Sequence, residues 1–221
     1  MKYRAVIFDL DGTLLDTLDD IADSANNVLA GRGFPTHAVD DYRLFVGDGV
    51  RKLVERILPP MARSEALVEQ CLSEMREEYG SRWNAKTKPY EGIPDLLATL
   101  RRGGLKLAVL SNKPDELTQA CVSELLSDWT FDAVAGQTVQ TPHKPDPTGA
   151  LRLARLLAVT PPETVLVGDS DIDMQTAVNA GMYPAGATWG FRSRDELAAA
   201  GARSLLDRPA DLLPILAGDG A

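Results

Sequence analysis

Ala5-Val6-Ile7-Phe8-Asp9-Leu10-Asp11-Gly12-Thr13-Leu14-Leu15-Asp16-Thr17 is the stretch from which the fold can be read. Ala5 to Phe8 is an unbroken apolar run, which predicts a strand buried on both faces in the middle of a parallel sheet. The run stops at two carboxylates one residue apart, followed by Gly12. Ligands of α/β proteins bind where parallel strands end. Two acids held there repel each other and lose hydration unless a cation or a proton offsets them. The stretch therefore predicts a bound divalent metal beside a reactive carboxylate. An Asx-type turn, with both Asp side chains tying down local backbone, is the structural alternative. A calcium loop also opens on D-x-D, but Gly12 comes two positions too early for one and a strand, not a helix, precedes it.

The chain has 221 residues, enough for one large domain or two small ones, with 44% apolar and 25% charged residues. A net charge of −9 argues against a nucleic-acid groove and against anionic membrane surfaces. A small anionic substrate stays compatible, because a metal, one lysine and helix N-termini supply the local positive potential it needs. Cys71 and Cys121 form no CxxC pair and read as two small buried apolar side chains. The first strand begins too early to leave room for a signal peptide, and no apolar run reaches membrane-spanning length. A cytoplasmic location is the expectation.

After the first strand the pattern turns helical. Leu18, Ile21, Ala22, Ala25, Val28 and Leu29 recur at helical spacing, with Asp19 and Asp20 in the first turn and Gly31 as a stop. A weaker helix is expected over 36–46 and another over 50–58, ended by Pro59-Pro60. A fourth runs over 64–79, with Leu67, Cys71, Met75 and Tyr79 stacked and Gly80 as its C-cap. Four amphipathic helices in succession form a small bundle, so residues 16–88 read as a helical unit. From Tyr90 onward strands and helices alternate, which gives a Rossmann-like parallel sheet with helices on both faces. Residues 1–15 and 89–221 thus make an α/β core that the helical unit interrupts.

Three further strand exits carry chemistry. Ser111-Asn112-Lys113-Pro114 places a hydroxyl, an amide and free N–H groups at a helix start, a phosphate cradle or a Ser/Asn turn. Lys144, between His143 and Pro145, can neutralise phosphate oxygens and a nucleophilic Asp; alone it would read as a solvated lysine. Val165-Leu166-Val167-Gly168-Asp169-Ser170-Asp171-Ile172-Asp173 again runs an apolar strand into acids, whose hard oxygens suit Mg²⁺. Asp171 reads as a helix cap.

The D-x-D-G-T-L-x-D-T pattern, followed in order by Ser111, Lys144 and the G-D-x-x-x-D of Gly168 to Asp173, resembles the haloacid dehalogenase-like superfamily of phosphotransferases. The resemblance covers essentially the whole chain, including an all-helical cap inserted after the first strand. It implies that Asp9 attacks phosphorus and that Asp11 is general acid and base. It implies that Ser111, with Asn112, Gly12 and Thr13, binds the substrate, and that Lys144, chosen over Lys113, neutralises charge. Mg²⁺ would be held by Asp9, the backbone carbonyl of Asp11 and Asp169, with Asp173 holding Lys144 or a metal-bound water. Asp11 would have to titrate above its reference of about 3.9, and neighbouring acids act in that direction.

Within that superfamily the segments Phe45 to Arg51, Ser111 to Pro114 and Gly168 to Gly181 resemble those of phosphoglycolate phosphatases. A phosphatase of another small phosphomonoester, such as a sugar phosphate, and a β-phosphoglucomutase-like enzyme are the alternatives. Dehalogenases lack the second Asp, a phosphonatase would need a cap lysine such as Lys52, and a binding module would be expected to have lost the acids. The partner is then a small phosphorylated metabolite, with neither nucleic acid nor membrane involved. In the cap, Arg51 is the candidate clamp for a substrate carboxylate, its planar fork preferred over Lys52.

Overall fold

Ala5–Phe8 forms strand β1, and all four residues are buried. Side chains alternate across a strand: Val6 and Phe8 enter one apolar core, Ala5 and Ile7 the other. The computed structural model describes residues 2–139 and 141–218. In it the chain passes from β1 to a two-residue strand β2 (Leu15–Asp16) and the helices α1 (Leu18–Gly31), α2 (Tyr42–Phe45), α3 (Val50–Ile57) and α4 (Glu65–Arg82). A second short strand, β3 (Lys88–Pro89), then leads to α5 (Ile93–Arg102) and β4 (Lys106–Pro114). The remainder alternates as α6 (Asp115–Leu125), β5 (Ala133–Gln137), α7 (Thr148–Leu156), β6 (Thr164–Gly168), α8 (Asp171–Ala180), β7 (Tyr183–Ala187), α9 (Arg194–Ala199), β8 (Ser204–Leu206) and α10 (Leu212–Ala217).

The main sheet has the order β5-β4-β1-β6-β7-β8 and is parallel throughout. Ala5 is in register with Lys106 on one side and Thr164 on the other. Leucines of α5 and Cys121 and Val122 of α6 cover one face, and Ala150, Leu153 and Ala177 of α7 and α8 cover the other. The α/β core with helices on both faces is as expected, and so is the helical unit inserted after β1.

That unit is held together by α1 and α3 packing on α4, whose Val68, Cys71, Leu72, Met75 and Tyr79 are buried. Its two connections to the core meet as an antiparallel pair, Leu15 opposite Pro89 and Asp16 opposite Lys88. Asp20 secures the return. Fully buried, it accepts hydrogen bonds from the backbone N–H groups of Lys86 and Thr87 and from the Thr87 hydroxyl. Among the described residues no helix is long and apolar enough to cross a membrane. Cys71 and Cys121 are buried free thiols, as their spacing suggests.

Several local expectations are corrected. The helix expected over 36–46 is a 3₁₀ turn at Val39–Asp41 followed by the single turn α2, because the Asp41 carboxylate caps Ala38 N and fixes the start there. Gly80 does not end α4; the helix continues to Arg82, and buried Trp83 anchors its last turn. Pro114 precedes α6 as its N-cap residue, because β4 runs on past Leu110 through an irregularity in its pairing with β5. The cap of α8 is Ser170, whose Oγ accepts from Asp173 N, while Asp171 is the first helical residue.

Candidate active site

Asp9 extends β1 by one hydrogen bond, its N–H donating to Val167 O at 2.9 Å, which delivers its carboxylate to the end of the sheet. Asp9 Oδ1 lies 2.7 Å from Lys144 Nζ but receives no hydrogen bond of good geometry. Burial, opposed by Lys144 and reinforced by Asp173 and Asp169, holds the Asp9 carboxyl well above the usual range. Lys144 Nζ also donates to Asp173 Oδ1 at 2.6 Å and Leu110 O at 3.1 Å. Burial alone would lower the Lys144 pKa, but Asp173 and Asp9 raise it above the ordinary value, so it stays charged. Asn112 fixes the backbone at this lysine: its Oδ1 accepts from Lys144 N at 2.8 Å and its Nδ2 donates to Lys144 O at 3.2 Å. The same Nδ2 donates to Gly47 O at 3.1 Å, in the helical unit.

Asp11 faces a different cation. Lys113 Nζ donates to its Oδ1 at 2.8 Å and to Tyr79 Oη, from α4, at 2.7 Å. An ammonium, and not a second acid, is the group in contact with Asp11, contrary to the expectation that acids crowd it. Asp169, at the exit of β6, accepts from Thr13 Oγ1 and from Phe191 N, each at 2.8 Å. Burial and then Asp173 push its carboxyl up to about 7. Gly12 is needed here: its φ is +88°, and a Cβ would overlap the Asp169 carboxylate.

Ligand oxygens of Asp9, Asp169 and Asp173 lie within 4.8 Å of one another. Both Asp173 oxygens are engaged, one by Lys144 and the other by Ser170 N. Both Asp169 oxygens are likewise engaged, by Thr13 and by Phe191 N, and since each carboxylate oxygen has further lone pairs, all three acids can offer a ligand atom to a cation. Around them four carboxylates (Asp9, Asp11, Asp169, Asp173) face two ammonium groups (Lys113, Lys144). That surplus of two buried negative charges, with hard oxygen donors, fits a divalent cation.

The family model of the haloacid dehalogenase-like hydrolases matches residues 6–187, most of the chain and both units. The chain belongs to that family. The hydrolase is 34% identical to the phosphoglycolate phosphatase of Aquifex aeolicus (strain VF5) over 213 residues, 96% of each chain. It is 31% identical to phosphoglycolate phosphatase 1 of Pseudomonas aeruginosa, covering 96% of this chain and 79% of that one. A solved structure from Lactobacillus delbrueckii subsp. bulgaricus, assigned to the phosphoglycolate phosphatases, superposes with a TM-score of 0.92 at 34% identity, covering 98% of this chain and 99% of that one.

The hydrolase has a cleft between its two units, and Asp9, Asp11, Ser111, Asn112 and Lys144 all line it. Gly12 and Thr13 do not; Thr13 is fully buried behind Asp169. Arg51 is not brought to the cleft. It lies on the far side of α3, where its guanidinium meets Glu55, Glu65 and Glu69. Lys52, beside it, pairs with Glu55. His143, for which the sequence suggests no role, packs against Gly49 of the loop before α3, where a Cβ would come within 2.8 Å of its Cε1. Lys113, set aside in favour of Lys144 from the sequence, reaches the cleft as well, and so do Tyr79 and Arg76, which the sequence does not single out as site residues. For Lys113 a signal existed: it sits two residues beyond Ser111, the spacing that repeats a face along a strand.

The raised Asp169 carboxyl has a measurable consequence in metal-free protein. The folded state holds this proton up to about 7, the unfolded chain only to about 3.8. Between those values the folded state binds more protons, so this group's contribution to stability falls as pH rises. With EDTA present, the Tm of wild type relative to Asp169→Asn should fall from pH 4 to pH 7, and divalent cation should restore it most near neutral pH. A constant difference between the two proteins would mean that Asp169 carries no unneutralised charge.

Proposed function

We propose that this hydrolase is a Mg²⁺-dependent phosphatase that hydrolyses small phosphomonoesters through an aspartyl-phosphate, with 2-phosphoglycolate as its substrate. The observation that carries the reading is the placement of Asp9 and Asp11 in one cleft, each beside its own lysine, with the Asp169 carboxylate adjoining Asp9. The names of the curated relatives support the choice of substrate.

Asp9 is the nucleophile: its carboxylate oxygen bonds to phosphorus as the ester P–O bond breaks, which splits hydrolysis into two easier steps. Asp11 donates a proton to the departing alkoxide. It then takes a proton from the water that attacks phosphorus, so that the aspartyl P–O bond breaks and inorganic phosphate leaves. Ser111, within β4, and Lys144 hold phosphate oxygens, and Asp173 keeps Lys144 charged and aimed. Mg²⁺, when bound by Asp9, Asp169 and the Asp11 carbonyl, neutralises phosphate charge that would otherwise repel the nucleophile. The helical unit, with boundaries near 16 and 88 at the β2–β3 pair, covers the cleft and excludes water. Two buried free thiols suit a reducing, cytoplasmic setting.

The test is turnover of a panel of 2-phosphoglycolate, sugar phosphates and phosphonoacetaldehyde with Mg²⁺ and with EDTA. Highest kcat/KM on 2-phosphoglycolate, lost in chelator and restored by Mg²⁺ but poorly by Ca²⁺, is expected, because Ca²⁺ takes more ligands at longer distances. Full activity in EDTA would remove the metal, and a sugar phosphate as best substrate would remove the glycolate assignment. Arg51→Ala should leave kcat/KM within about threefold on every ester, as exposed ion pairs contribute little. A larger, carboxylate-selective loss would restore Arg51 as the clamp.

A further inference from the structure

Lys113 is an expensive residue to place where it is. Its side chain is 4% exposed, and burial by itself pulls its pKa down. Asp11 and then Tyr79 raise it again, above the ordinary value, so the ammonium is charged. Three N–H donors are available on it. Asp11 Oδ1 takes one and Tyr79 Oη another, and Nζ stands 4.7 Å from the centre of the Tyr79 ring. Tyr79 belongs to the helical unit and Lys113 to the core, so the contact exists only while the two units are together.

The surroundings limit what else could receive an anion. The helical wall of the cleft is largely apolar, with Ile21, Val46, Val50, Leu53 and Met75 facing it. Such a wall offers a carboxylate no compensation for lost water. Among the described residues the cations lining the cleft are Lys144, Lys113 and Arg76. Lys144 is bound to Asp9 and Asp173 at the phosphate end. Arg76 is exposed at the rim. Lys113 is the buried cation beside the leaving group: its Nζ is 2.8 Å from Asp11 Oδ1, and Asp11 must come within about 3 Å of the ester oxygen it protonates. In a phosphorylated 2-hydroxy acid the carboxylate is one carbon from that oxygen, about 3 Å away by ordinary bond lengths.

We infer that Lys113, oriented by Tyr79, binds the carboxylate of the substrate and selects esters of 2-hydroxy acids. This rests on the phosphatase reading given above. Arriving with the substrate, the carboxylate takes the third donor of Lys113, which has no hydrogen-bond partner among the described residues, in a charge-assisted hydrogen bond strengthened by the apolar wall. A phosphomonoester lacking that group leaves the ammonium with Asp11 and Tyr79 alone. Selectivity then comes from a core residue completed by the helical unit.

The test compares 2-phosphoglycolate with ethyl phosphate, which has the same carbon next to the ester oxygen but no carboxylate, and measures kcat and KM separately. In Lys113→Met, kcat/KM for 2-phosphoglycolate should fall about 30–300-fold further than for ethyl phosphate, the scale of one lost charged partner. Tyr79→Phe should show the same selectivity at about 3–10-fold, mostly in KM. Lys113→Arg, which keeps the charge, should retain the preference for 2-phosphoglycolate and carries the test if Lys113→Met does not fold. Equal losses on both esters in Lys113→Met, or no loss of preference, would show that Lys113 only positions Asp11 and would overturn the inference. The substrate assignment fails separately. If wild type prefers another 2-hydroxy acid phosphate, such as 2-phospholactate, and Lys113→Met loses that preference selectively, the clamp stands and glycolate falls. A wild type that does not distinguish carboxylated from plain alkyl phosphates overturns the clamp itself.

Discussion

Asp9→Asn should retain the fold and lose turnover by at least about 10⁴-fold, the scale seen when a covalent nucleophile is removed. The substitution changes no volume, and an amide neither attacks phosphorus nor serves as an anionic ligand. It also removes one charge from a cluster in which four carboxylates face two ammonium groups. Burial already holds the Asp9 carboxyl well above its usual range. The metal-free variant should therefore melt no lower than metal-free wild type, and the divalent-cation dependence of Tm should shrink. Rapid acid quench with labelled substrate is the direct check: wild type should retain label on protein and the variant none. Substantial steady-state activity in Asp9→Asn would eliminate the covalent route.

Asp11→Asn should lose about 10²–10⁴-fold on substrates with an alkoxide leaving group, the usual range for general acid–base catalysis. On p-nitrophenyl phosphate, whose leaving group needs little protonation, the loss in the first step should be much smaller. Burst kinetics separate the two steps, since a burst followed by slow turnover locates the remaining defect in water activation. Stability should move opposite to the Asp9 variant. Removing the Asp11 charge leaves Lys113, whose side chain is 4% exposed, with Tyr79 as its remaining partner, and a buried charge without a counter-ion is costly. Equal losses on 2-phosphoglycolate and p-nitrophenyl phosphate would make Asp11 a structural residue.

Where apolar strands end in acids, the site was legible. Asp9 and Asp169 could be found because four- and five-residue buried strands stop at them, and such strands belong at the centre of a parallel sheet. Lys144 was found by its order in the chain. Lys113 is weighed for the same role and set aside, because its spacing from Ser111 points to the site only once β4 is known to continue past Leu110, and that extent depends on the non-local pairing with β5. Arg51 illustrates the converse limit. Helical periodicity identifies the buried face of α3, Leu53, Val54 and Ile57, but a neighbouring residue can turn to the cleft or to α4, and Glu65 and Glu69 of α4 draw Arg51 toward α4. Tyr79 was read as packing, and it is 7% exposed; its hydroxyl's partner lies in the other unit. Thr13 and Asn112 carried the right location, but their side chains hold Asp169 and Lys144 in place.

The position of β1 also bears on how the chain assembles as it is synthesised. The strand that leads to Asp9, the proposed nucleophile, is made first, yet both its partners come from far downstream, β4 from Lys106 and β6 from Thr164. Sheets built from such distant pairings close slowly. The helical unit in between makes its main contacts within itself, α1 and α3 on α4, and can acquire them while the later strands are still on the ribosome. Its folding brings Leu15 and Asp16 next to Pro89 and Lys88, shortening the loop that separates β1 from β4 to the turn after β1 on one side and the α5 segment on the other. A helical unit inserted between β1 and β4 is thus placed so that its own folding would draw the strand before Asp9 toward its first neighbour.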